Sequence, residues 1–312
     1  MAPLVTIVTV TYNSSEFVRE AIDSILASTY TNFELIIGDD NSTDSTWDII
    51  ETYKDSRIKK YRNEINLGEY PNRNKAINMA KGEYLIFIDG DDMIYPHGLK
   101  FMTEMLHSFP DCGMALMRWW QSNVFYPIKI SPKDFYIGQY FGHGFLGTSF
   151  ANTFFRTQVL KENGGLSLKY RGGDDYIRYR IAQRDNVLII PDQLTWWRET
   201  PGQASQILSN SLEGIVEGFN LKLEFLDENC PLPEEDRKKA RDNVRYALAK
   251  LILKNTVKLK FRDAIHLMKN FNIPLKYLFD PFRNPVKIDP LDSYTAVRPK
   301  RENKNLIRFL TE

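Results

Sequence analysis

The sequence is short of several things, and each shortage excludes something. Only two cysteines occur in 312 residues, Cys112 and Cys230, far apart. That leaves no disulfide framework and no zinc spacing, and makes a reducing, cytoplasmic setting the default. Histidine is scarce, with four in all. His97, His107, His143 and His266 form no metal-binding spacing, and no HExxH occurs. No Walker A or GxGxxG pattern is found, and nothing marks a nucleophilic serine. No run of about 18 apolar residues exists, so no membrane-spanning helix is expected. The opening MAPLVTIVTVTYN lacks the basic start and cleavage site of a signal peptide. Net charge is also nearly missing, at +1, but that total conceals an asymmetry. Residues 237–312 hold 19 Lys+Arg against 7 Asp+Glu, while residues 1–236 hold 22 against 33. An acidic body thus carries a basic C-terminal region, a pattern that points to an anionic partner.

What is present suits a large folded domain. Hydrophobic residues make up 43% and aromatics 13%, too apolar for a disordered chain. Strand and helix patterns alternate through the first hundred residues. Leu4–Val10, Phe33–Gly38, Ile58–Arg62 and Glu83–Ile88 read as strands, the buried ones as short β-branched runs. Helical spacing follows at Phe17, Ala21, Ile25 and Leu26, near Ser45–Tyr53, and at Ala76–Lys81, with Gly82 as a C-cap and Pro96 near a further helix start. Residues 112–205 look less regular, dense in aromatics and glycine, with a helix at Tyr176–Arg184 and a strand at Val187–Ile190. After residue 206 the pattern is helical. One stripe runs through Leu212, Ile215, Val216, Phe219, Leu223 and Leu226, and another through Ala240, Val244, Leu248, Leu251 and Ile252. Pro231 and Pro233 separate them. Pro281, Pro285, Pro290 and Pro299 indicate an extended tail. Alternating strands and helices predict an α/β fold with a mostly parallel sheet, whose ligands bind beyond the carboxyl ends of the strands.

Three polar clusters fall at such ends: Thr11-Tyr12-Asn13, Asp39-Asp40 and Asp89-Gly90-Asp91-Asp92. They are expected to meet in one crevice. Two carboxylates in a D-x-D can both reach a hard cation such as Mg²⁺ or Mn²⁺, which shares oxygen ligands with phosphates. The same two acids could equally be solvated or capping residues. Asp39 or Asp40 can accept from a base N–H or a ribose hydroxyl, or can cap the helix that follows.

Taken together, TIVTVTYNSSEFVREAIDSILASTYTNFELIIGDDNSTDST, NLGEYPNRNKAINMAKGEYLIFIDGDD and GGDDYIRYRIA resemble the inverting family 2 glycosyltransferases of the GT-A fold. The resemblance runs from residue 4 to about 205. It implies an α/β/α sandwich, Rossmann-like, with a C-terminal helical extension. Domain 1–205 would be catalytic, with a nucleotide-sugar half (1–111) and an acceptor half (112–205). A basic helical region (206–279) and a proline-rich tail (280–312) would follow. The resemblance further implies that Thr11, Tyr12, Asn13, Asp39, Asp40, Arg73, Asn74, Asp89 and Gly90 surround a nucleotide-diphospho-sugar, most simply a UDP-sugar. Asp91, with Asp89, would hold Mn²⁺ or Mg²⁺. The catalytic base would come from Asp174-Asp175, where the family usually shows Glu-Asp; Asp175 is the first choice. The alternative is that both only cap the helix at Tyr176.

Arg198 sits in a segment where the family commonly has a His two residues later; here that residue is Thr200. Its guanidinium suits a phosphate, or a structural salt bridge. Among Trp119, Trp120, Tyr140, Phe141 and Phe145, stacking on an acceptor sugar competes with ordinary core packing. Phe141-Gly142-His143-Gly144 is the candidate acceptor loop.

The predicted activity is transfer of a hexosyl or N-acetylhexosaminyl group to a glycan or lipid-linked glycan in surface polysaccharide synthesis. Residues 237–312 could bring the protein to the inner face of a membrane, or could be a solvated face with oligomer contacts. Nucleic acid ranks last, since no recognised binding motif accompanies the charge. A sugar nucleotidyltransferase would need a basic, glycine-rich triphosphate loop, and TVTYNSS is not one. A non-catalytic carbohydrate-binding or scaffold protein would not need all three acidic clusters.

Overall fold

The computed structural model describes residues 2–118, 126–200, 211–254 and 261–279. Its centre is an eight-stranded sheet: β1 (Val5–Thr11), β2 (Phe33–Asp39), β3 (Ile58–Arg62), β4 (Tyr84–Phe87), β6 (Cys112–Met117), β7 (Ile128–Ile130), β8 (Thr153–Arg156) and β9 (Asn186–Ile190). The order across the sheet is β3-β2-β1-β4-β8-β6-β9-β7. β3, β2, β1 and β4 are mutually parallel, as are β6 and β9. β8 runs antiparallel to both its neighbours, and β7 is antiparallel to β9. A two-stranded ribbon pairs β5 (Met93–Ile94) with β10 (Thr195–Trp196).

The helices are α1 (Val18–Leu26), α2 (Thr46–Thr52), α3 (Glu69–Met79), α4 (Gly98–His107), α5 (Pro132–Phe141), α6 (Thr157–Glu162), α7 (Gly173–Ala182), α8 (Leu212–Glu224), α9 (Glu234–Lys254), α10 (Phe261–Asn270) and α11 (Lys276–Phe279). Every β1 and β2 residue is buried, because helices cover both faces of the sheet. Period two still sorts the side chains. Val8, Val10 and Ile36 join one apolar cluster, while Val5, Ile7, Leu35 and Ile37 join the cluster on the opposite face.

The middle of the chain is more regular than its composition suggests, since β6, β7, β8 and β9 all come from it. α3 ends at Met79, and Gly82 serves a different purpose from a helix cap. A Cβ there would lie 2.5 Å from the Thr6 backbone nitrogen, so only glycine lets the chain pass β1 this closely. α7 starts at Gly173, three residues before the expected Tyr176, which places both acids in its first turn. Both expected stripes fall on helices, but the buried residue of α8 is Leu221, while Leu212, Ile215, Val216, Phe219 and Leu223 are half-buried and Leu226 lies beyond the helix. Leu221, Phe225, Leu226, Ala240 and Val244 share the cluster that lines one face of the sheet. The helical region thus extends the core of residues 1–205. Cys112 and Cys230 are both free and buried. Among the described residues no helix is long and apolar enough to cross a membrane.

Candidate active site

The parallel half of the sheet delivers the three polar clusters to one edge. Asp39 at the end of β2 accepts from Thr11 Oγ1 at 3.0 Å, which ties it to the end of β1. Its carboxylate also takes the Ser42 amide (3.0 Å) and the Ser42 hydroxyl, and lies 3.4 Å from Arg62 Nε. A fully buried carboxylate needs such a set of donors, and here they shape the loop after β2. Asp40 accepts from Asn63 Nδ2 (2.8 Å), Leu67 N (2.9 Å) and Gly68 N (2.8 Å). It folds the 63–68 loop back over the strand ends. Asn13, with φ of 50°, receives Thr43 N on its side-chain oxygen (2.8 Å), so it braces the same loop wall. Tyr12 beside it is half exposed and faces outward.

The D-x-D loop is anchored by its glycine. A Cβ on Gly90 would meet Thr11 Cγ2 at 2.7 Å, so the loop lies directly against the end of β1. Asp89 accepts from the buried Arg73 of α3 at 2.6 Å, and Arg73 also pairs with Glu69 at 3.1 Å. Burial works against the Arg73 cation, but Asp89 and Glu69 outweigh it and raise its pKa. Burial likewise raises the Asp89 pKa against the pull of Arg73, and the charges of Asp91 and Asp174 add to the rise. Asp92, less exposed still, is pushed up to about 8 by burial and by Asp89. The charges of Asp91 and Asp174 thus reach Asp89, and those of Asp89 and Asp91 reach Asp92.

A divalent cation fits this place on one specific ground. Asp89 Oδ1 is buried and has no hydrogen-bond partner, while Asp89 Oδ2 is held by Arg73. Among the described residues no group of three His, Cys, Asp or Glu side chains forms a complete cage. Mg²⁺ and Mn²⁺ held by one or two carboxylates and completed by phosphate oxygens do not need one.

On the other side stands the α7 pair. Asp175 Oδ1 accepts from Arg178 Nη1 at 3.1 Å, and Asp174 Oδ2 lies 3.8 Å from the same nitrogen. Arg178 is fully buried. It also donates to Thr153 Oγ1 (3.0 Å), Thr148 O (3.3 Å) and Ser149 O (3.0 Å). Burial and Asp174 push Asp175 up to about 6, although Arg178 and Lys222 pull the other way. Its side chain remains 38% exposed, so a ligand can reach it. The helix N-cap is Gly172, which makes no side-chain cap, and both acids stand in the first turn at the positive end of the helix dipole. One ring joins the two sides. Phe150 lies 5.7 Å below the Arg73 guanidinium and 5.3 Å from that of Arg178, and stacks on Phe87 at the end of β4.

Other expected site residues have different occupations. Asn74 holds a loop through both ends of its amide: Nδ2 donates to Leu166 O and Oδ1 accepts from Leu166 N, each at 2.8 Å. Arg198 donates to Asp91 O (2.9 Å) and pairs with Glu20 (2.6 Å), its guanidinium lying between Phe17 and Trp196. These contacts pin the D-x-D loop by its backbone. Gly142–Gly144 is the turn that ends α5, with Gly144 N bonded to Gly138 O at 2.9 Å. His143 is exposed on that turn. Tyr140, Phe141 and Phe145 are buried in the core. Trp119 and Trp120 lie outside the described residues, as does the tail from 280 onward. Arg178 was missed by the sequence reading. Its position three residues after Asp175 and four after Asp174, one helical turn on, was the available signal.

Comparison with known proteins agrees with this architecture. The profile of glycosyl transferase family 2 matches residues 6–164. β2, β3, β4, the D-x-D loop and β8 all fall inside that match. The fold is that of the GT-A glycosyltransferases: TarS of S. aureus, solved with UDP-GlcNAc, superposes with a TM-score of 0.66 over 88% of this chain and 82% of that one, at 19% identity. The chain belongs to glycosyl transferase family 2. Among curated relatives, the Escherichia coli UDP-Glc:alpha-D-GlcNAc-diphosphoundecaprenol beta-1,3-glucosyltransferase WfaP is 46% identical over 89 residues, 28% of this chain and 36% of that protein. The putative teichuronic acid biosynthesis glycosyltransferase TuaG of Bacillus subtilis is 37% identical over 121 residues, 37% of this chain and 48% of that protein. The matched stretches span less than half the length of these two relatives.

Proposed function

We propose that the protein is an inverting, metal-dependent glycosyltransferase that moves a sugar from a nucleotide-diphospho-sugar, a UDP-sugar in the first instance, to a hydroxyl of a glycan or lipid-linked glycan. The observation that carries this reading is the placement of two acidic groups of opposite aptitude across Phe150. One is the Asp89–Asp91 loop, with a partnerless buried oxygen; the other is Asp175, reachable and raised to about 6. Asp89 and Asp91 would hold Mn²⁺ or Mg²⁺, which when bound neutralises charge on the departing diphosphate. A second solved neighbour, a mannosyltransferase of Pyrobaculum calidifontis, was captured with GDP-Man and Mn²⁺ (TM-score 0.60, 18% identity).

Asp175 is ionised above about pH 6 and then accepts the proton of the acceptor hydroxyl. That oxygen forms its bond to the anomeric carbon as the carbon–diphosphate bond breaks on the opposite face, which inverts the centre. Arg178 fixes the carboxylate's direction. Asp40, Thr11 and Asn13 shape the nucleoside end through the loops they brace, and Arg73 keeps Asp89 oriented. Surface-glycan synthesis is supported by the names of WfaP and TuaG. The catalytic unit is assigned to residues 1–205, and peripheral membrane attachment to the basic region 237–312.

A panel of nucleotide-sugars, screened by thermal shift and by donor hydrolysis with Mn²⁺ and with chelator, tests the reading. A UDP-sugar should give the largest shift and require the metal. A chain that binds no nucleotide-sugar, or that turns one over equally well in chelator, would overturn it.

A further inference from the structure

The segment that leads into α7 is gripped from two sides. From the nucleotide half, Asn74 clasps Leu166 and Tyr70 donates its hydroxyl to Arg171 O. A Cβ on Gly173 would come within 2.7 Å of Ser167 O and 3.2 Å of the Tyr70 ring, so the segment packs tightly on itself and on α3. From the other side comes α8. Its Glu213 pairs with Arg171 Nη2 at 3.0 Å, and its Glu217 accepts from Arg171 N at 3.1 Å. Glu224, at the last turn, pairs with Lys169 at 2.5 Å and accepts the Tyr170 hydroxyl. One residue beyond α8, Phe225 stacks on Tyr179 of α7 (4.8 Å, 12°) and meets Tyr176 edge-on at 5.2 Å. Tyr140 of α5 donates to Lys222 O at 2.6 Å. Both this segment and α8 lie beyond the stretch that matches the family profile, which ends at residue 164.

These contacts differ in kind. Arg171 and Glu213 are largely exposed, so their attraction is weak and sets register more than stability. Phe225 is buried against two aromatic rings of α7 and supplies the adhesion. The result is a weak electrostatic ladder on a firm apolar hinge. The element it holds is the first turn of α7, where Asp174 and Asp175 stand.

We propose that α8 is a working part of the acceptor side of the site, a latch that positions the two α7 acids by holding residues 169–171. Glu213, Glu217, Glu224 and Phe225 are positioning residues. The charged groups around Asp175 are then Asp174 and Arg178 from α7 and Lys222 from α8. This inference rests on the proposed base role of Asp175, and its experiment separates the two.

The test is the triple variant E213Q/E217Q/E224Q in the full chain, which removes the charge of the ladder with little change of shape. Hydrogen exchange of the amides of residues 166–176 should rise at least about threefold. Transfer kcat/KM for the acceptor should fall about tenfold, since small misplacements of a catalytic group are costly. Donor affinity by calorimetry should be unchanged. Arg171→Glu combined with Glu213→Lys and Glu217→Lys should restore part of both losses. Lys222→Met should move the acidic limb of the pH–rate profile to higher pH, and Lys222→Arg should return it. Unchanged exchange in the triple variant overturns the latch, as does raised exchange with wild-type transfer. If the unaltered chain transfers to no acceptor while exchange still rises, the activity reading fails and the mechanical latch stands.

Discussion

Replacing Arg178 with methionine probes the whole acceptor side at once. The side chain is fully buried and makes four hydrogen bonds, to Thr153 Oγ1, Thr148 O, Ser149 O and Asp175 Oδ1. Methionine fills much of the stem but offers no donor. Removing one partner from a buried charged network costs about 3–5 kcal/mol, and each orphaned buried carbonyl about 1–3 kcal/mol. The lower end applies, because Asp175 keeps 38% exposure and can recover water. A loss of about 3 kcal/mol corresponds to a fall in Tm of roughly 5 °C for 312 residues. The kinetic consequence has a definite sign. The Arg178 cation opposes the rise of the Asp175 pKa, so its loss drives that pKa above about 6. The base is then ionised only at higher pH, and the acidic limb of kcat/KM moves up. Urea denaturation and a pH–rate series on Arg178→Met and Arg178→Lys provide the measurements. Lysine keeps the charge but cannot span three acceptors, so it should hold the limb near its original place while losing much of the stability. A methionine variant destabilised by less than about 1 kcal/mol, with an unmoved limb, would refute the hub role.

Asp91→Ala is expected to abolish transfer and leave the circular dichroism spectrum unchanged; retained transfer at saturating Mn²⁺ would remove Asp91 from the metal site. Asp175→Asn should bind donor normally in calorimetry while transfer collapses, and if Asp174→Asn alone does this the choice within the pair is wrong. In the wild type, transfer should decline as pH falls through about 6, where Asp175 takes up its proton, and a profile flat down to pH 4.5 would exclude it as the base. Gly90→Ala should weaken donor binding at least about tenfold, because its Cβ must displace Thr11 from the loop; calorimetry showing full affinity would contradict the packing argument.

Much of the fold was legible because its signals are local. β1, β2 and β4 are short apolar runs ending in polar residues, and the expected bounds of these and of β3 fall within one residue of those observed. The α8 and α9 stripes needed only helical periodicity. The region 112–205 was harder to read. β6 and β8 are buried on both faces, so they show no alternation, and β8 belongs to the sheet only through antiparallel pairing with β4 and β6. Nothing local in TFFR announces partners so distant in sequence. Gly82 was misread as a cap for the same reason: its requirement comes from Thr6, 76 residues away.

By itself the sequence determined the chemistry on offer: a D-x-D after a buried strand, a second acidic pair after another, and a third pair opening a helix. Each is set by residues adjacent in the chain, where spacing and strand ends suffice. The tertiary structure decided which groups meet and in what state. It gave Asp39, Asn74 and Arg198 to the bracing of loops, and left Asp89 Oδ1 without a partner. It set Phe150 between two guanidinium groups and raised Asp175 to about 6 through burial and Asp174. Desolvation and hydrogen-bond partnership depend on what the fold packs around a group, and many of those neighbours come from 16 to more than 100 residues away.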